Sequence, residues 1–248
     1  RTGLYRLVKD ILDFEELPTN NKNGDRYLVK RKISPYGKLY NFNGVLDIVL
    51  ALSNENSQWR VPSKSDWDDM LNALEPCEEY QDHNKPNTCV FLGDVAGKIL
   101  KKDGEWIDGN TEDMFGFSAY PAGYAYDGNR CVSFFGENTR FWTTSTKEGT
   151  DAYIKEVRNG KSTVFQDIID GVHYCSIRLV RDIENDSNVK VEKILGSDYN
   201  TVVMPSNEKG SRKWTSENLV YVLDDSNKVL SPEIYDNENN ERYFIYEW

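Results

Sequence analysis

Few side chains of this sequence have the types and spacing that catalysis requires. The chain has two histidines, His83 and His173, and neither has a second histidine at the spacing of a helical metal site. The segment GFSAY (residues 116–120) is similar to a nucleophile elbow around Ser118, but that turn needs glycine where Tyr120 stands. No GxGxxG or GxxxxGK[ST] phosphate-binding motif occurs. The sequence therefore predicts a protein that is not an enzyme and requires no cofactor.

One acidic loop carries several oxygen donors. Asp108, Asn110 and Asp113 lie within the segment DGNTED, and calcium prefers such oxygen ligands. Their spacing does not follow the EF-hand pattern, which needs glycine at loop position 6 and glutamate at position 12. A calcium site is one interpretation of this loop, and a solvated acidic turn is the alternative.

The four cysteines leave the disulfide state open. Cys77 and Cys89 flank a polar loop that a disulfide would close, and Cys131 and Cys175 form the other candidate pair. Spacing alone does not distinguish disulfides from free thiols. The chain has no CxxC motif, which argues against a zinc knuckle or a thioredoxin-like site.

Two aromatic loops are the best candidates for non-covalent binding. The first, AYPAGYAYDGNR, carries Tyr124, Tyr126 and Arg130, and the second, GENTRFW, carries Asn138 and Arg140. Rigid aromatic side chains beside arginine and asparagine bind partners at a low cost in conformational entropy. We therefore predict a ligand-binding surface at these two loops.

The overall charge excludes some classes of partner. The 248 residues include 30 basic and 41 acidic side chains, giving a formal net charge of −11. Such a chain is repelled by nucleic-acid backbones and by anionic membrane surfaces. No apolar run approaches the roughly 18 residues of a membrane-spanning helix. We expect neither nucleic-acid binding nor membrane insertion.

Helices and short strands must position these loops. In PSKSDWDDMLNALEP, Ser63 is expected to cap a helix with Asp66 as its reciprocal partner, and Trp67 begins the apolar face of that helix. The segment around residues 42–50 has a second helical pattern, with apolar residues at Phe42, Val45, Leu46, Val49 and Leu50. An amphipathic helix or a short strand is expected near the N-terminus, from Leu4, Leu7, Val8, Ile11 and Leu12.

The remainder of the chain reads as strands. Beyond Cys89, short apolar pieces separated by DG, GN and NG turns predict strands and loops, including GKILKKDGEW at residues 97–106. After residue 185 the chain is polar but keeps the strand-like pieces TVVM, NLVYVL and RYFIYEW. We therefore predict an N-terminal connecting segment (1–24), a central domain (25–184) and a small β-rich C-terminal appendage (185–248).

Six motifs occur in order in the central region: GKLYNFNG, WRVPSKSDW, AGKILKKDGEW, DMFGFSAYPAGY, FWTTST and SIRLVRD. Together they resemble the Fibrobacter succinogenes major paralogous domain family, whose members adopt a C-type-lectin-like fold. The resemblance implies an α+β domain with two helices packed on short, twisted antiparallel sheets and many loops. It also implies a set of structural signature residues, namely Trp59, Pro62, Trp67, Gly116, Phe117, Trp142 and Arg178. The closing cysteine of the family aligns with Leu179, so no family disulfide is carried over.

The segment DFEELPTNNKNGDRYLV (residues 13–29) is similar to modules of phage tail and other virion proteins. With the aromatic loops, it predicts a recognition or attachment protein on a virion surface or on a cell surface. The expected partner is a glycan or protein on a host or bacterial surface. One alternative is a structural virion or surface-layer subunit, including a homo-oligomer, whose loops contact sister subunits. Another is a secreted bacterial adhesin or lipoprotein.

Overall fold

A computed structural model of the protein describes residues 36–75, 80–81, 90–92, 94–107, 109–126, 132–183, 189–223, 228–236 and 242–247. The predictions made for residues 1–35 lie outside these ranges, and so do those for several single residues. The single residues are Cys77, His83, Cys89, Asp108, Arg130 and Cys131.

Strands predominate among the described residues. The three helices are α1 (Phe42–Asn54), α2 (Lys64–Leu74) and α3 (Ala96–Leu100). The strands are β1 (Leu39–Tyr40), β2 (Tyr80–Gln81), β3 (Val90–Leu92), β4 (Ala125–Tyr126), β5 (Asn138–Glu148), β6 (Asp151–Arg158), β7 (Val164–Ile169), β8 (His173–Tyr174), β9 (Val180–Asp182), β10 (Val191–Ile194), β11 (Ser197–Ser206), β12 (Gly210–Thr215), β13 (Val229–Asp236) and β14 (Arg242–Glu247). None of the described helices is both long enough and apolar enough to cross a bilayer.

The strands form four antiparallel sheets. The largest has the order β2-β3-β7-β6-β5, and a second has the order β10-β11-β12-β9. Three strands, β1-β13-β14, form the third sheet, and β4 pairs with β8 in the fourth. The protein is therefore mixed in class and strand-rich, with few helices.

The corner at WRVPSKSDW folds as its sequence predicts. The Ser63 hydroxyl accepts a hydrogen bond from the Asp66 amide, and the Asp66 carboxylate accepts one from the Ser63 amide, so the capping box is complete. Arg60 donates two hydrogen bonds to Asp66, at 2.6 and 2.8 Å. Trp59 is buried, and Trp67 packs 4.9 Å, centroid to centroid, from Trp214 in the core. Arg60 therefore holds the capping carboxylate in place.

One expectation about the helices is wrong, and another is confirmed. The segment GKILKKDGEW, predicted as strand, begins with helix α3, and Gly97 lets this helix pack directly on the chain at residues 162–163. A Cβ at Gly97 would lie only 2.4 Å from the Thr163 carbonyl oxygen. Helix α1 does form over the second helical pattern, but Leu46, Val49 and Leu50 lie on its exposed side. The core side of α1 consists of Phe42, Val45, Ile48 and Leu52.

Arg178 joins three separate segments inside the core. Its side chain is fully buried and donates hydrogen bonds to the carbonyls of Phe117, Ser118 and Thr215 and to the Asn218 side chain, at 2.6 to 2.9 Å. Burial lowers the pKa of this guanidinium to about 9. Four acceptors therefore depend on one side chain, which explains why arginine belongs to the motif SIRLVRD.

The C-terminal part of the chain is hydrogen-bonded to the central part. Strand β12 pairs with β9, with Trp214 opposite Val180. The piece NLVYVL, predicted as strand, contains no strand over residues 218–223, although Leu219 is buried. The Leu219 amide donates to the Ile177 carbonyl, and its carbonyl accepts from the Lys38 amide. The division of the chain at residue 185 stays a prediction.

Candidate recognition site

The two predicted aromatic loops meet at the turn that precedes β5. The Gly123 amide donates to the Asn138 carbonyl at 2.7 Å, which joins the first loop to the second. Tyr124 and Ser133 also exchange backbone hydrogen bonds of 3.2 and 2.8 Å. Gly123 allows this approach, because a Cβ there would lie 2.5 Å from the Ser133 carbonyl oxygen. The Gly136 amide donates to the Pro121 carbonyl and closes the other side of the turn.

An aromatic platform, consisting of Tyr124, Phe134 and Arg140, lies on this turn. The rings of Tyr124 and Phe134 are stacked, with centroids 5.5 Å apart and an interplanar angle of 23°. The Arg140 guanidinium carbon lies 3.4 Å from the centroid of the Tyr124 ring, which is a close cation–π contact. Burial raises the pKa of Tyr124, and the Arg140 charge opposes that shift, so the phenol stays neutral at physiological pH.

A buried carboxylate supports the platform. Glu156 of β6 is 1% exposed and accepts hydrogen bonds from Asn138 at 3.0 Å and Arg158 at 2.8 Å. It also forms an ion pair with the Arg140 Nε at 3.3 Å. Arg140 lies opposite Glu156, and Asn138 opposite Arg158, in the register of β5 and β6. The strand pairing therefore sets the position of the platform's polar groups.

Phe134 combines backbone strain with exposure. Its φ is +58°, in the left-handed region that bulky residues avoid. The residue is nevertheless 50% exposed, so the strain does not serve to bury the ring. Its carbonyl accepts hydrogen bonds from the Glu137 and Asn138 amides, which hold the turn in this conformation. Such strained positions cluster at ligand-binding sites and cost about 1–3 kcal/mol each.

The structure brings three of the five predicted ligand-binding residues together: Tyr124, Asn138 and Arg140. The Arg140 side chain is only 14% exposed, so it supports the Tyr124 ring more than it faces solvent. Tyr126 is 53% exposed and lies on β4, where its ring contacts His173 at 5.0 Å. Arg130 lies outside the described residues.

Sequence reasoning missed Phe134 and Glu156. The segment CVSFFG was interpreted as a strand, which gave no reason to single out an exposed ring. The signal that was present is Gly136 directly after Phe134 and Phe135, since glycine marks turns. Glu156 carries no such signal, because 41 acidic residues make any single one inconspicuous.

A thiol lies close behind the platform. Cys175 is a free, buried cysteine, so it does not form the disulfide with Cys131 that the sequence left open. Burial raises the pKa of the Cys175 thiol to about 12, with a smaller opposing effect from Arg140. The thiol is therefore unreactive at neutral pH.

The acidic loop proposed for calcium has other contacts in its described part. The Asp113 carboxylate accepts hydrogen bonds from the Ser118 amide at 2.7 Å and hydroxyl at 2.8 Å, and Lys102 lies 3.4 Å away. The Asn110 amide donates to Ser162 at 3.4 Å. Over the described ranges, no group of three histidine, cysteine or acidic side chains is arranged to hold a metal ion. Calcium binding stays a prediction.

An open groove of about 590 Å³ lies along the first turns of α2. Its acidic side chains have basic partners. Asp68 pairs with Lys64 at 2.5 Å and with the buried Lys155, and Asp69 accepts a hydrogen bond from Arg212 at 2.8 Å. These ion pairs join α2 to β6 and β12, so the groove is part of the scaffold.

One family model matches most of the chain. The model of the Fibrobacter succinogenes major domain matches residues 6–181, which include α1, α2, α3 and the aromatic platform. Neither a curated protein nor a solved structure matches the chain. Because the match covers well over half of the 248 residues, the chain belongs to the Fibrobacter succinogenes major domain family.

Proposed function

We propose that this protein is a non-enzymatic recognition protein that uses a C-type-lectin-like scaffold to attach to a glycan or protein on a cell surface. The aromatic platform is the binding site in this proposal. Phe134 makes the first contact, and Tyr124 stacks on its ring. Arg140 supports the Tyr124 ring, and Tyr126 on β4 extends the surface. The protein acts on the surface of a virion or as an extracellular, cell-surface component.

The observation that carries the proposal is the exposed ring of Phe134 on a strained backbone. A strained residue needs a reason to persist, and packing of its own side chain is not that reason, because half of the residue is exposed. A ligand that stacks on the ring would bury this surface. The Tyr124 stack and the buried Glu156 fix the platform before binding, which lowers the entropy lost on association.

The size of the platform favours a small ligand unit. A phenylalanine side chain has about 200 Å² of surface, so the exposed half of Phe134 offers about 100 Å². A stable protein–protein interface buries about 800 Å² on each partner. The platform alone therefore suits one sugar ring better than a whole protein interface. A protein partner would need to cover neighbouring exposed side chains, such as Ile107 next to Gly136.

A binding experiment with paired variants tests the proposal. The protein and its Phe134→Ala variant are applied to a glycan array and used for pull-down from bacterial surface extracts. Phe115→Ala is the matched control, because Phe115 is also exposed, at 40%, and lies outside the two aromatic loops. We expect binding by the parent and by the control, and at least a tenfold weaker signal for Phe134→Ala. Equal binding by all three proteins would contradict the proposed site.

The alternative role is that of a structural subunit whose loops contact sister subunits. Native mass measurement at micromolar concentration distinguishes the two roles. A closed oligomer in which Phe134 is protected from solvent, combined with no glycan or protein binding, would support the structural role. A monomer that binds through Phe134 would support attachment.

A further inference from the structure

Lys155 of β6 lies inside the core, with a carboxamide and a carboxylate next to its amino group. Its side chain is fully buried. The Lys155 Nζ donates a hydrogen bond of 2.5 Å to the Oε1 of Gln166 on β7, which is itself buried. The same Nζ donates to the Asp68 carboxylate of α2. A primary amine, a carboxamide and a group that can carry protons therefore meet at one buried point.

The strand register brings the amine and the carboxamide together. Lys155 and Gln166 lie directly opposite each other on β6 and β7, so their side chains are on the same face of the sheet. A C=O bond is about 1.2 Å long, so the Lys155 Nζ lies at most about 3.7 Å from the Gln166 Cδ. This limit is close to the separation of about 3–3.5 Å at which bound groups react.

We propose that Lys155 and Gln166 form an intramolecular isopeptide bond. Asp68 accepts one proton from the Lys155 ammonium, and the neutral amine then attacks the Gln166 Cδ. The bond between Nζ and Cδ forms, and the bond between Cδ and Nε2 breaks. The two protons that Nζ loses leave with the former amide nitrogen as an ammonium ion, and Asp68 returns to its carboxylate form.

The surroundings of Lys155 favour this reaction. Asp68 is shared by two lysines, because its second oxygen accepts a hydrogen bond of 2.5 Å from Lys64. A buried ammonium is costly even when it is paired, and the reaction replaces it with a neutral amide. Asp68 also lines the open groove along α2, which gives the released ammonium a path to solvent.

A second buried lysine provides an internal control. Lys213 is also buried, but it donates its hydrogen bond, of 2.6 Å, to the carboxylate of Glu192. A carboxylate resists attack by an amine, because it is negatively charged and its oxygen is a poor leaving group. We therefore expect no bond between Lys213 and Glu192.

Peptide mapping of the chain tests the proposal. Trypsin cleaves after Arg158 and Lys161, so it separates residues 148–158 from residues 162–178 unless Lys155 is joined to Gln166. We expect these two peptides to be joined, and the intact mass to be lower than that of the sequence by one ammonia molecule. Absence of the joined peptides would overturn the proposal. Loss of ammonia without them would overturn it as well, because a cyclic imide at Asn159–Gly160 changes the mass equally.

Two isosteric variants test the partners of Lys155. Gln166→Glu keeps an acceptor for the lysine but removes the carboxamide, and we expect no joined peptides. Asp68→Asn removes the proton acceptor, and we expect the bond to form at least about a hundredfold more slowly. Tryptophan fluorescence checks that both variants fold, and the parent protein decides the proposal if either does not. Joined peptides in Gln166→Glu, or an unchanged rate in Asp68→Asn, would overturn the role of that residue. Neither experiment depends on ligand binding at the aromatic platform.

Discussion

Replacement of Phe134 by glycine or by alanine separates the strain of this residue from its role in binding. At an ordinary position, glycine is less stable than alanine by about 0.5–1 kcal/mol, because the unfolded glycine has more freedom to lose. Phe134 has a φ of +58°, where an L-residue other than glycine is strained by about 1–2 kcal/mol. Relief of this strain outweighs the entropy term, so the order should reverse.

The expected magnitudes follow from the contacts of the ring. Both variants lose the stacked contact with Tyr124, which contributes about 0.5–1.5 kcal/mol. Alanine keeps the strain and loses only this contact, so Phe134→Ala should be about 0.5–1.5 kcal/mol less stable than the parent protein. Phe134→Gly should be about 0.5–1 kcal/mol more stable than Phe134→Ala.

Urea unfolding followed by tryptophan fluorescence measures both differences, provided that the slope with denaturant is unchanged. Both variants should lose binding to the same extent, because both lack the ring. If Phe134→Gly is less stable than Phe134→Ala by about 0.5–1 kcal/mol, as at an ordinary position, the backbone is not strained and this reasoning is wrong. If glycine restores binding, the ring is not the contact that the ligand makes.

Three further predictions concern the scaffold. Arg178→Met should lower the free energy of unfolding by about 4 kcal/mol or more, because four buried acceptors lose their donor. Denaturant unfolding measures this change, and a decrease below about 1 kcal/mol would contradict the role of Arg178. Ser63→Ala should cost about 1 kcal/mol by removing the helix cap of α2, and Ser65→Ala, at an exposed position two residues after the cap, is its control in the same assay. Stability should fall as pH rises from 9 towards 12, because the Cys175 thiol has a pKa near 9 when unfolded and about 12 when folded. Between pH 8 and pH 10.5, the free energy of unfolding should fall by about 2 kcal/mol more in the parent protein than in Cys175→Ala. An identical pH dependence of the two proteins would refute the assignment.

Features that depend on neighbouring residues could be predicted from the sequence. The capping box at Ser63 and Asp66 involves residues three apart, and helix α2 followed from it. The burial of Trp67 followed from its place on the apolar face of that helix. Helix α3 was missed because its five residues are too few to show helical periodicity, and its packing on residues 162–163 is a contact between distant segments.

The candidate site was predicted only in part, because it also depends on contacts between separate segments of the chain. The composition of the two loops indicated Tyr124, Asn138 and Arg140, and these residues do lie together. Phe134 was missed because its exposure depends on a left-handed backbone, and that backbone depends on a contact between Gly136 and Pro121. No local pattern of apolar and polar residues encodes such a contact.

The buried charges suggest how a loop-rich protein presents a fixed surface. Loops that carry a binding site lose conformational entropy when a partner binds, unless the fold has already ordered them. Arg178 orders the segments around Ser118 and Thr215 through hydrogen bonds to their backbones, and Glu156 orders the base of the platform through Asn138 and Arg140. Both side chains lie inside the fold and out of reach of a ligand. Substitution of Glu156 should therefore weaken binding by disordering the platform, whereas substitution of Phe134 should weaken it by removing the contact itself.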